Sequence, residues 1–73
     1  MTLVAELLGA LPRGAYVEVW GKFVFVVTKH ADGLHAVAAA VGHVDDVLPV
    51  IARELRNVIE QFGPIVEPIM VEA

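Results

Sequence analysis

Three histidines, His30, His35 and His43, stand close in sequence to Asp32, Asp45 and Asp46, and these are the residues best suited to hold a metal ion or move a proton. The spacing His30-x-Asp32-x-x-His35 matches no arrangement with a mechanical rationale. No two histidines are four residues apart, the separation that puts two ligands on one helical face. Loop polarity and helix capping account for these residues, so neither a metal nor a cofactor is expected. Covalent chemistry has less to work with, because the chain has no Ser and no Cys and only two Thr, at Thr2 and Thr28. Glu18, set among aromatic residues, is the remaining candidate acid; it reads as an edge residue or as the pair of a cation on a partner. No catalytic residue is assigned, and the chain is expected not to be an enzyme.

The elements around these residues follow from spacing. Thr2 can cap a helix in which Leu3, Val4, Leu7, Leu8 and Leu11 repeat at three and four residues, and Pro12 ends it because the residue before proline avoids the α region. Residues 15–20 and 23–28 are β-rich and separated by Gly21-Lys22, the signature of a hairpin with a two-residue type II′ loop. That loop pairs Trp20 with Phe23 and Tyr16 with Val27. The period of two then writes out both faces. One holds Ala15, Val17, Val19, Val24, Val26 and Thr28; the other holds Tyr16, Glu18, Trp20, Phe23, Phe25 and Val27.

Beyond the hairpin, Asp32 can cap a second helix carrying Leu34, Val37, Ala38 and Val41, with Gly42 as its stop. Asp45 or Asp46 can cap a third, with Pro49 in its first turn and an apolar stripe of Val47, Ile51, Leu55, Val58, Ile59 and Phe62. Gly63-Pro64 ends it, and Pro68 confines the strand-like tail, residues 65–73, to an edge. The expected fold is one small α+β domain, residues 1–73: a short helix, a β-hairpin, two helices of which the last is long and amphipathic, and a short C-terminal edge strand.

Two resemblances bear on this outline. Val37, Ala38, Val41, Gly42 and Leu48 resemble the alanine, turn glycine and later apolar residue of the helix-turn-helix family, which implies a DNA-binding regulator. The start of the second helix there would be His43-Val44-Asp45-Asp46, with two carboxylates where that family meets phosphates. The hairpin over residues 18–28 and the helix started by Asp32 look like the small dimerising subunit of the KEOPS tRNA-modification complex, which implies a non-catalytic dimerisation role. That family's Leu-Arg and Asn-Ser features are absent, so no residue is carried over.

Composition narrows the field further. Nine acids against five bases give a net charge of −4, and Arg13, Lys22, Lys29, Arg53 and Arg56 form no basic tract to displace counterions from nucleic acid. No run of 18 apolar residues exists, so no membrane partner is expected. The first residues carry Glu6 and no basic region, unlike a signal peptide. A small domain without disulfides suits the cytoplasm. Few Asn, Gln and Cys suit a thermophilic source, against which the charged fraction of 19% is low. Residues of the hydrophobic set make up 58% of 73, above the ordinary ~45–50% even before glycine is counted. A body this small hides only about 60% of its unfolded surface. Three short helices cannot cover both faces of the hairpin, so the expected function is a structural or interaction subunit. Its partner is its own copy or another protein, and its interface Tyr16, Glu18, Trp20, Phe23, Phe25 and Val27. A small His/Asp metal-binding protein is the remaining alternative.

Overall fold

The computed structural model describes residues 2–66. Helix α1, Leu3–Ala10, begins at Thr2, whose Oγ1 accepts from the Ala5 amide at 3.2 Å. It ends where Leu11 turns extended ahead of Pro12. Strands β1, Tyr16–Trp20, and β2, Phe23–His30, pair antiparallel in the expected register, Trp20 with Phe23 through Tyr16 with Val27. Gly21 has φ of +58° and Lys22 stays at negative φ, the division of labour of a type II′ loop.

The helix expected after Asp32 is instead a strand, β3, Gly33–Ala40, paired antiparallel to β2 over eight consecutive positions from His30 with Gly33 to Phe23 with Ala40. The sheet order is β1-β2-β3. Two physical reasons override the helix preference of the alanines. Strand β2 has a second edge whose amides and carbonyls need partners, and only a neighbouring strand supplies them along its whole length. Leu34, His35, Ala36, Val37 and Ala38 also fit a period of two, in which Val37 lies inward beside Val26. The connecting residues Ala31 and Asp32 keep negative φ, and Gly33, at φ of +131°, takes up the turn where a side chain would be strained.

Helix α2, Val44–Phe62, runs back along β3. Its cap is His43, whose Nδ1 accepts from the Asp45 amide at 3.1 Å, and not Asp45 or Asp46 as expected. Both aspartates lie in the first turn, where the exposed amides favour negative charge. Pro49 consequently sits in the sixth helical position, past the first turn, and the Asp45 carbonyl loses its partner there. Gly63, at φ of +89°, closes the helix and donates its amide to the Ile59 carbonyl at 2.9 Å.

Both helices lie on one face of the sheet. Leu7 of α1 and Val47, Ile51 and Leu55 of α2 bury themselves against Val17, Val24, Val26 and Val37. Beyond Gly63 the chain meets the sheet again where the Val66 amide donates to the Lys29 carbonyl at 2.9 Å, on the length of β2 that extends past β1. Of the expected tail strand, residues 65 and 66 are not in a strand, and residues 67–73 lie outside the described part. No helix among the described residues is long and apolar enough to cross a membrane.

Candidate functional site

The register of the three strands defines the face turned away from the helices. Its rows are Tyr16, Val27 and Ala36; Glu18, Phe25 and Ala38; Trp20, Phe23 and Ala40; with Lys29 and Leu34 closing one end. All six residues expected at an interface therefore share one surface. Strand β3 adds three alanines and Leu34 to it, a contribution hidden while that segment reads as a helix.

No described helix covers this face. Trp20 is 64% exposed, Phe23 52% and Leu34 62%, while Tyr16, Glu18, Phe25 and Val27 are half-buried by one another. The rings of Phe23 and Phe25 lie 6.5 Å apart at 49°, an aromatic ridge along β2. Beside it Glu18, Trp20, Phe25, Val27 and Ala36 line a shallow depression of about 390 Å³. The Tyr16 hydroxyl donates to Glu18 Oε2 at 3.2 Å. The carboxylate beside it disfavours the phenolate, and that charge, with some desolvation and the hydrogen bond, raises the Tyr16 pKa above 10.0. The relief is one-sided: bulky side chains stand on β1 and β2, and methyl groups on β3 apart from Leu34 at its start.

A second polar cluster lies on the helix side, at the end of the sheet where α2 terminates. His30 is 1% exposed and Thr28 fully buried; His30 Nε2 is 2.7 Å from Thr28 Oγ1, and His30 Nδ1 is 2.8 Å from the Gly63 carbonyl oxygen. The carbonyl can only accept, so in the neutral ring Nδ1 donates to it and Nε2 accepts the Thr28 hydroxyl proton. Next to it His35 Nε2 meets both Asp32 carboxylate oxygens at 3.0 Å, and its ring stacks on Phe62 at 3.9 Å. The His30 and His35 rings meet edge to face at 5.4 Å.

The hydroxyl–imidazole contact has the geometry of an activated nucleophile, but its burial closes it to any substrate. What it does is fasten the end of α2 to β2. Sequence reasoning missed the cluster because it depends on β3 being a strand and on a contact between residues 33 apart. His30 and His35 are neighbours, but both nitrogens of His30 are engaged within the protein and His43 caps α2 elsewhere, so the three histidines do not share one site. Among the described residues no three His, Asp or Glu side chains are placed to share a metal ion. The helix-turn-helix arrangement is absent as well, since Ala38 lies in β3 and the element directly before Gly42 is that strand and not a helix.

No protein-family model, no curated protein and no solved structure matches the chain.

Proposed function

We propose that this chain is a non-catalytic interaction subunit that works by burying the open face of its sheet against a protein partner, in the cytoplasm. The observation that carries the reading is the exposure of Trp20 and Phe23 on a face with a single acid among its central three rows. Aromatic side chains bury about 150–250 Å² each, so these two leave on the order of 250 Å² to be covered. At about 25 cal/mol per Å² that is roughly 6 kcal/mol before the costs of association. Trp and Tyr are also the residue types that most often anchor interfaces. Against a catalytic role stand the lack of Ser and Cys and the sealed position of the Thr28–His30 pair. The cysteine-free composition of so small a chain supports a reducing compartment.

Hydroxyl-radical footprinting tests the reading at native abundance, in fresh lysate of the source cells. Trp20 should be oxidised several-fold more slowly there than in dilute purified protein, with Phe62 on α2 as the internal reference. Equal rates at Trp20 in the two samples would overturn it.

A further inference from the structure

We infer that the occupant of the open face is a second copy of this chain, seated face to face about a two-fold axis parallel to the strands, so that β1 of each copy lies over β3 of the other. This rests on the reading that the face is buried in an assembly, and adds the partner and its orientation.

The relief of the face carries the argument. Turning the sheet over about an axis along β2 exchanges the places of β1 and β3. The turn brings Tyr16 and Trp20 of one copy over the alanines of the other, in the rows that hold Ala36 and Ala40. High ground meets low on both sides at once, as a closed two-fold contact requires. An axis across the strands would stack β1 on β1 and β3 on β3, opposing bulk to bulk and leaving a void between two alanine strips. Along the axis itself Phe23 and Phe25 meet their own copies, at the spacing of about 10 Å between packed sheets.

Charge favours the same arrangement. Glu18 lies over Ala38 of the other copy, so the two Glu18 residues stand two strands apart laterally, which keeps their carboxylates roughly 10 Å from each other. The lateral offset weakens their repulsion, which matters for a chain whose net charge is −4. Stacking β1 on β1 removes the lateral separation and brings the acids closer.

The area is of the right order. Strands of five, eight and eight residues at about 3.3 Å per residue, each about 4.8 Å wide, give a footprint of about 330 Å² before the relief of the side chains. With that relief two copies together approach the ~1,000 Å² that a specific interface needs. A copy of the same face fits it over the rows that β1 spans, with Leu34 of each β3 lying beyond the end of the facing β1. The dimer falls at the small end of specific complexes, so dilution can take it apart.

The absence of cysteine makes mapping unambiguous. Glu18→Cys and Ala38→Cys would each be treated with a bis-methanethiosulfonate spanning about 5 Å, well short of the roughly 10 Å between like positions, alone and as an equimolar mixture after exchange, with Asn57→Cys on the outer side of α2 giving the background. Circular dichroism confirms that each variant folds. The mixture should yield several-fold more cross-linked dimer than either variant alone. A yield from Ala38→Cys alone equal to or above the mixture overturns the axis, and so does a yield at background in all samples. Light scattering of the untouched chain across a dilution series should show a dimer giving way to a 7.8 kDa monomer. A monomer at every concentration overturns the second copy as occupant, and the footprinting at native abundance then decides separately whether another protein covers the face.

Discussion

Thr28 Oγ1 and His30 Nε2 lie 2.7 Å apart in the sealed end of the core, and the other nitrogen of the same ring is 2.8 Å from the last carbonyl of the helix cap, at Gly63. One imidazole thus ties a hydroxyl of its own strand to an element more than thirty residues away. Thr28→Val keeps the volume and removes the hydroxyl, leaving Nε2 buried without a partner. An unsatisfied buried acceptor costs about 1–3 kcal/mol. Urea unfolding should show a loss of that size, and a loss below about 0.5 kcal/mol would mean the pair contributes nothing to holding α2.

Trp20 and Phe25 separate association from folding. Trp20 is 64% exposed within the chain, so Trp20→Ala should move the melting temperature by only a few degrees while lowering the mass measured by light scattering. Phe25→Glu puts a second acid in the row of Glu18 and should abolish the assembly outright. An unchanged assembly mass in both variants would place the contact elsewhere.

Tyr16 reports the charge of its neighbour. Its pKa is raised above 10.0, first by the Glu18 carboxylate. A raised folded pKa means the native state holds its proton longer than the unfolded chain. What this contact contributes to stability is therefore fully present below pH 10 and is lost as pH rises through the folded pKa. Absorbance titration of the phenolate should show ionisation above 10.0 in the native protein and a return toward it in Glu18→Gln. The same midpoint in both proteins would remove the electrostatic account.

Gly33 is the residue that lets β3 begin. Its φ of +131° lies where an L side chain is strained although no atom stands within 4 Å of a built Cβ. Gly33→Ala should cost about 1–3 kcal/mol from backbone strain alone. Gly9→Ala is the control, because Gly9 is helical with equally open surroundings and should be neutral or stabilising. Equal stability changes in the two variants would deny Gly33 that role.

The parts of the fold that sequence reasoning reached are those governed by neighbours along the chain. The Gly21-Lys22 loop and the alternation on either side dictate the β1–β2 register pair by pair, and with it the composition of the aromatic face. Thr2, Pro12 and Gly63 mark helix ends by the geometry each imposes locally. Strand β3 was not reached because Leu34, Val37, Ala38 and Val41 satisfy the helical period as well as the extended one, and alanine favours the helix. The contrary signal was the dipeptide Asp32-Gly33 after a strand, a recognised hairpin marker. The start of α2 slipped by two residues because His43, Asp45 and Asp46 all offer a capping atom, and only the packed helix selects among them. The His30 latch joins distant segments, so no local pattern announces it.

The sheet is a simple meander whose two loops are short, so its three strands can assemble from adjacent stretches of chain. The helix that shelters most of one side is the last described element to be synthesised. Between the completion of β3 and the arrival of Ile51 and Leu55, a nascent chain presents two oily surfaces instead of one. That interval is when this polypeptide is most adhesive, and a pause in translation over residues 41–55 would lengthen it.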